Sequence, residues 1–202
     1  GIVRERHDYG QVALVGEVYL DPPRRRVAYE RFTPDGPVAL LPERDHHGLV
    51  WTMTPEIAGA MLALPERAFL DGLARHFGTR VTGFVHAVGR RAFPLVLERA
   101  RPVVTARAAV IGNAAQQLHP VAGQGFNLIM RDCVALAETL APVAIATGDV
   151  GNLGILQKYL GKQQWDQQKT VMASDWLPRL FSNRDRPQML LRSLALLGLD
   201  FI

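Results

Sequence analysis

Val110-Ile-Gly-Asn-Ala-Ala-Gln-Gln-Leu-His-Pro-Val-Ala-Gly-Gln-Gly-Phe-Asn-Leu-Ile-Met-Arg-Asp132 runs on into Cys133-Val-Ala-Leu-Ala-Glu-Thr-Leu140. It reads as a buried strand, a Pro/Gly loop and the start of an amphipathic helix. Gly123 and Gly125 let the backbone approach a ligand closely and take φ values that a side chain forbids. The helix that follows presents unpaired N–H groups from about Gly125, Phe126 and Asn127, and the positive end of its dipole points into the loop. Such a place suits a planar, electron-rich ligand that becomes anionic when reduced.

A flavin is such a ligand. The run also resembles the second flavin-binding motif of the FAD-dependent aromatic-hydroxylase-type monooxygenases. That motif reads Gly-Asp-Ala-Ala-His, a few residues, Pro, then Gly-x-Gly-x-Asn and an Asp on the helix. Here its first part stands as Gly112-Asn113-Ala114-Ala115-Gln116, with Asn for Asp and Gln for His. Those departures, with His119-Pro120 and Gly123-Gln124-Gly125-Phe126-Asn127, resemble the ubiquinone-biosynthesis branch of the family. Glu30-Arg-Phe-Thr-Pro-Asp-Gly-Pro-Val-Ala-Leu-Leu-Pro42 and Phe93-Pro-Leu add to the likeness, which runs from about Gln11 to Leu199.

The resemblance implies a mixed α/β fragment in three parts. Residues 1–92 would belong to a substrate-domain β-sheet, 93–145 to the C-terminal part of a Rossmann-like FAD domain, and 146–202 to C-terminal helices. It implies FAD as cofactor, NAD(P)H as reductant, O2 as oxidant and a lipophilic polyprenyl phenol as substrate. Gly112 and Asn113 would stand by the ribityl chain; an amide there can donate and accept without placing a charge beside the cofactor. Pro120, Gly123, Gln124, Gly125, Phe126 and Asn127 would lie along the isoalloxazine, where helix N–H groups stabilise negative charge on reduced flavin. The family's N-terminal strand–Gly-x-Gly-x-x-Gly–helix is not in this sequence, so the expectation is a C-terminal half that binds FAD weakly or not at all alone. The alternative readings are a non-catalytic interaction module, docking with biosynthetic proteins or a membrane, and the same chemistry on a different phenol.

Outside that run the chemistry is sparse. His119 is a candidate base, but a lone His before Pro is also an ordinary structural residue, and no Cys or acid stands near it in metal-ligand spacing. His46-His47 is read as a polar turn without partners, so no metal site is expected. Asp132 and Arg131 are read as a helix-surface or interdomain ion pair. Trp165, Trp176, Leu177, Leu180 and Phe181 read as an apolar helix face, packed in a core or left for a membrane or partner. No Gly-x-Ser-x-Gly elbow or phosphate-cradle motif appears.

The 202 residues are 48% hydrophobic and 21% charged, an ordinary globular composition. One cysteine, Cys133, excludes an internal disulfide. A formal charge of +4 invites a nucleic-acid reading, but Arg24-Arg25-Arg26 is the one tight basic cluster and no aromatic residues interleave with it. It reads as a solvated hairpin turn, or a contact for anionic lipid at the inner face of a membrane; the expected compartment is cytoplasmic.

Periodicity places strands at Gln11–Leu20 and Val27–Thr33, paired through that turn, then at Val38–Leu41, Leu49–Met53 and Thr79–Arg90. Helices are expected from Pro55 to Leu62 and Glu66 to Phe77, then one long helix or two across Val150–Phe181, and one from Pro187 to about Gly198. Val103-Val104 and Ala108–Ile111 are short strand pieces.

Overall fold

The computed structural model describes residues 2–24, 26–117, 124–146 and 148–181, with backbone alone at Gln124 and over 173–181. The architecture is mixed α/β, an antiparallel sheet with helices. The strands are β1 (Val3–Leu20), β2 (Tyr29–Thr33), β3 (Gly36–Glu43), β4 (His46–Met53), β5 (Phe84–Arg101), β6 (Val104–Thr105), β7 (Ala108–Ala109) and β8 (Gln116–Gln117). The helices are α1 (Pro55–Ala63), α2 (Glu66–Phe77), α3 (Gln124–Ala146) and α4 (Leu153–Phe181). Sheet order is β2-β3-β4-β1-β5-β8, with β6 and β7 forming a separate hairpin. The chain divides into two compact units: one built on Gly10–Leu95, the other on Gly1–Tyr9 and Val96–Leu177. β1 and β5 each contribute to both.

The first unit follows from alternation. His47, Leu49, Trp51 and Met53 repeat every second residue on β4, so one face of that strand is buried. Val38 and Leu40 on β3, and Leu14, Val18 and Leu20 on β1, join them. α2 covers this layer with Phe69, Leu73 and Phe77, spaced i, i+4, i+8, and with Leu70. Thr54 caps α1, its hydroxyl accepting from the Ile57 N–H at 3.4 Å, ahead of Pro55 at the first helical position. At the start of α2 the Glu66 carboxylate accepts from the Ala87 N–H at 2.9 Å, tying the helix to β5. Arg90 lies over the Phe69 ring at 4.7 Å and donates to the Leu64 carbonyl at 3.0 Å.

The expected pairing of β1 with β2 is not what forms. β1 pairs antiparallel with β4, Val12 opposite Met53, while β2 pairs with β3 and β3 with β4. Two-residue turns at Pro34-Asp35 and Arg44-Asp45 force β2, β3 and β4 into consecutive hairpins. That leaves β1 the free edge of β4. The arginine cluster is accordingly a connection between strands that are not neighbours, with Arg24 donating to the Tyr29 hydroxyl at 3.4 Å; Arg25 lies outside the described residues.

Two further expectations are corrected, and one left open is decided. Thr79 and Arg80 sit in a 3-10 turn, because the left-handed Gly78 ends α2 directly before them, and β5 begins only at Phe84. β5 then continues to Arg101, so Phe93 lies in mid-strand. His46-His47 opens β4 and is no turn: His47 is 2% exposed, with its Nε2 at 3.3 Å from the Val27 carbonyl. The region from Val150 forms one helix, α4, started by Asn152, whose side-chain oxygen accepts from the Gly154 N–H at 2.8 Å. The helix expected from Pro187 lies outside the described residues.

The second unit has a small core: Val104, Ala135, Leu156 and Tyr159. Its strand ends carry the ion pairs Arg4–Glu98 at 3.2 Å and Arg101–Glu5 at 2.9 Å. Within the described residues no helix is long and apolar enough to cross a membrane.

Candidate functional site

β7 leads the chain through Val110 and Ile111 into Gly112. This residue has φ +66°, in the left-handed region that favours glycine. It opens a 3-10 turn, Gly112–Ala114, closed by the Ala115 N–H donating to the Gly112 carbonyl at 3.0 Å. The chain then returns to β5: the Ala100 N–H donates to the Ala115 carbonyl at 2.8 Å, and β8 sets Gln116 opposite Arg99. A short strand, a glycine and a return thus present Asn113 at the apex. Gly112 is buried; Asn113 is exposed.

α3 is seated against this turn. A Cβ built on Gly112 would lie 3.6 Å from the Ile129 side chain, so strand exit and helix start are in contact. Leu128 is fully buried, while Phe126 is 69% exposed and Asn127 is exposed. The same helical turn has an anchored face and an open one. Among the described residues, nothing stands within 4 Å of where a Cβ of Gly125 would be. N–H groups in the first turn have no intrahelical acceptor, and the dipole is positive there. The structure therefore seats the turn of Gly112 and Asn113 against α3, the helix that begins with Gln124, Gly125, Phe126 and Asn127. Pro120, Gly123 and His119 lie outside the described residues.

A flavin fits this donor set. Its ring edge needs N–H donors and open backbone, which the start of α3 has at Gly125; its ribityl hydroxyls need a group that both donates and accepts, which Asn113 supplies.

Deeper along α3, three side-chain hydrogen bonds hold it to α4. Arg131 donates from Nε to the Asp166 carboxylate at 2.7 Å and from Nη2 to the Thr170 hydroxyl at 3.0 Å. Asp132 is no surface ion pair. It is 1% exposed, and its Oδ1 accepts from the Gln167 amide at 3.0 Å while Oδ2 has no partner. Burial, reinforced by the Asp166 carboxylate, raises its pKa above the usual carboxylate value, against the opposing pull of Gln167 and Arg131. Tyr159, also buried, has its phenol pushed up by desolvation and by the charges of Asp132 and Cys133. Sequence reading put Asp132 outside because Arg131 is its neighbour; on a helix adjacent residues point about 100° apart, and only one of the two reaches α4's acid.

Trp165 also departs from the core reading: it is 64% exposed, with the Lys169 ammonium 4.8 Å from its ring centre. The side chains of Trp176, Leu177, Leu180 and Phe181 lie outside the described residues. What the sequence analysis missed is a cavity at the end of β5, lined by Arg99 and Arg101 and, from α4, by Gln164, Gln167 and Gln168.

Comparison with known proteins agrees with this geometry. The family model described as an FAD binding domain matches residues 9–171. Ubiquinone hydroxylase UbiL of Rhodospirillum rubrum is 38% identical over 190 residues, covering 93% of this chain and 44% of that protein. Ubiquinone biosynthesis monooxygenase COQ6, mitochondrial, of Homo sapiens is 31% identical over 231 residues, covering 97% of this chain and 49% of that protein. The chain thus spans about half the length of the curated relatives it matches. Among solved structures, PqsL, a probable FAD-dependent monooxygenase from Pseudomonas aeruginosa, aligns with a TM-score of 0.68 at 23% identity, over 89% of this chain and 51% of that one. The Diels-Alderase PyrE3 of pyrroindomycin biosynthesis aligns at 0.69 with 17% identity, over 98% and 42%. At such identities the structures speak for the fold alone, and two different chemistries share it.

Proposed function

This chain belongs to the FAD binding domain family, and we propose from that premise that it forms the flavin-ring side of a monooxygenase that hydroxylates a polyprenyl phenol in ubiquinone biosynthesis. The observation that supports the reading is the close approach of the Gly112 turn to Ile129, which seats the turn that carries Asn113 against α3. Bound FAD would supply the redox and oxygen chemistry, with NAD(P)H as reductant. The chain's own residues orient and polarise. Asn113 would bond the ribityl chain, and the N–H groups at Gln124, Gly125 and Phe126 would face the ring edge that gains negative charge. Pro120 and Gly123 would complete the loop along the ring. No side chain here is required as acid or base, and His119 remains a candidate on sequence grounds alone.

The relatives named ubiquinone hydroxylase and ubiquinone biosynthesis monooxygenase support the substrate class. The Gly112-Asn113-Ala-Ala-Gln116 pattern is also similar to that of 2-octaprenyl-6-methoxyphenol hydroxylases. In a protein of the relatives' length, the site for the FAD pyrophosphate would come from the part without a counterpart here. A lipophilic substrate places the enzyme at the inner face of a membrane, peripherally or within a biosynthetic complex.

The test uses the protein extended to the relatives' length. It should purify with FAD, oxidise NAD(P)H only when a polyprenyl phenol is present, and yield a product heavier by one oxygen. Gly125→Val, which adds a branched side chain at the helix start, should weaken FAD affinity at least about tenfold, a loss of about 1.4 kcal/mol or more. A full-length protein that folds and holds no flavin would overturn the reading in favour of an interaction module.

A further inference from the structure

The chain has three lysines against twenty arginines, and all three lie on α4: Lys158, Lys162 and Lys169. With Trp165 and Met172 they follow one another at steps of four, three, four and three residues. At about 100° per residue, all five fall within an arc of about 80°, a line about 21 Å long down one side of the helix. All five are exposed, Trp165 by 64% and Met172 by 69%. The Lys169 ammonium stands 4.8 Å from the centre of the Trp165 ring. Beside the line stand Gln157, Gly161, Gln164 and Gln168, exposed and neutral. Asp166, the one carboxylate of α4 within residues 153–172, bonds to α3, where Arg131 neutralises it at 2.7 Å.

Such a face fits few partners. Three strongly hydrated ammonium groups keep it out of a packed core. A second copy of the helix would set lysine against lysine along the seam. The partner must be anionic, and it must also take an indole and a thioether on the same line as the charges. A lipid headgroup layer has both properties. Lysine stems lie along apolar surface with the ammonium in water, and tryptophan seats its amphipathic ring at the boundary. We propose that this line docks α4 on an anionic lipid surface, with the lysines on headgroups and Trp165 and Met172 at the boundary with the acyl chains. The choice of lipid over an acidic protein rests on the reading of a lipophilic, membrane-resident substrate. No residue of the line is assigned to the flavin.

Co-sedimentation with vesicles tests it on the protein of the relatives' length, phosphatidylcholine alone against an equimolar mixture with phosphatidylglycerol. Binding should require phosphatidylglycerol and weaken as salt rises. Lys158→Gln, Lys162→Gln and Lys169→Gln together should weaken it about a hundredfold, at roughly fivefold for each basic residue near such a surface. Trp165→Ala should weaken it about threefold or more. If the triple variant fails to fold by circular dichroism, Lys162→Glu alone should weaken binding about tenfold or more. FAD content and hydroxylation of a short-chain phenol, measured without vesicles, should stay unchanged in every variant. Their absence from the wild type would count against the substrate reading and leave vesicle binding to decide the docking. Three results overturn the proposal: no preference for phosphatidylglycerol vesicles, binding indifferent to the lysine and Trp165 substitutions, or retention on immobilised polyglutamate with none on vesicles, which would assign the face to an acidic protein.

Discussion

The unit built on Gly10–Leu95 has a large packed core and the unit built on Val96–Leu177 a small one, and both leave apolar side chains exposed, Leu41, Val88 and Phe93 in the first among them. The first stacks Leu14, Val38, Leu40, Leu49, Trp51 and Met53 beneath Phe69, Leu73 and Phe77. The second gathers Val104, Ala135, Leu156 and Tyr159, and leaves Phe126, Met130, Val134, Trp165 and Met172 exposed. Phe126, Met130 and Val134 recur every four residues on α3, a stripe of the kind that helices bury. The lesson is one of proportion. Both units carry directed bonds, Glu66 to Ala87 and Asp21 to Gly83 in the sheet unit, the Gly112 turn, Arg131 to Asp166 and Thr170, and Gln167 to Asp132 in the motif unit. The larger apolar cluster backs them in the first.

The most damaging single change should fall in the packed unit. Gly83 has φ +80°, and a Cβ there would lie 1.9 Å from the Asp21 carbonyl oxygen, while the Gly83 carbonyl itself accepts from the Asp21 N–H at 2.8 Å. The backbone of β5's entry is locked to the end of β1, with no flexible side chain to yield. Gly83→Ala should cost more than about 4 kcal/mol, among the large effects that strain at a special φ produces. Denaturant unfolding followed by tryptophan fluorescence would show it, since Trp51 sits in that core. A loss below about 1 kcal/mol would mean that the lock is loose.

A matched pair of substitutions measures the contrast itself. Leu73→Ala and Leu156→Ala remove the same atoms from the two cores, and both side chains are buried. Buried Leu→Ala changes cost about 2–5 kcal/mol, depending on how far the surroundings collapse into the space. Leu73, under a full sheet, should fall near the top of that range, and Leu156, in a four-residue core, near the bottom. Hydrogen exchange resolved by unit would check both, because the units need not unfold together. Equal losses would contradict the contrast.

The sheet unit was also the more legible in sequence. Glu66–Phe77 emerges with its predicted ends, because Pro65, the i, i+4 apolar pattern and Gly78 agree. The strand partners did not emerge, because alternation fixes which face is buried but not which edge is taken. That choice was made by the two-residue turns at Pro34-Asp35 and Arg44-Asp45. In the motif unit, Gly112, Asn113 and the start of α3 were readable because backbone demands select residue types. Asp132, Trp165 and Arg99 were misread or missed, since each depends on what α4 brings opposite. Sequence spacing along one element says nothing of its partner.

The smallest effect, and the one most specific to the motif unit, concerns Asp132. Its carboxyl is buried with one oxygen unpaired, and its pKa is raised, first by burial and then by Asp166. The folded protein therefore holds this proton more tightly than the unfolded chain. Stability from this group is greatest at low pH and falls as pH rises from the ordinary value of 3.8 through the raised one. Asp132→Asn keeps an oxygen to accept from Gln167 and removes the ionisation. Relative to the wild type, the variant should gain stability across that window and keep the gain, unchanged, above it. Urea unfolding of both proteins at pH 4 and pH 7 reads the difference directly. A variant equally displaced from the wild type at both pH values would show that Asp132 ionises as freely when folded as when unfolded.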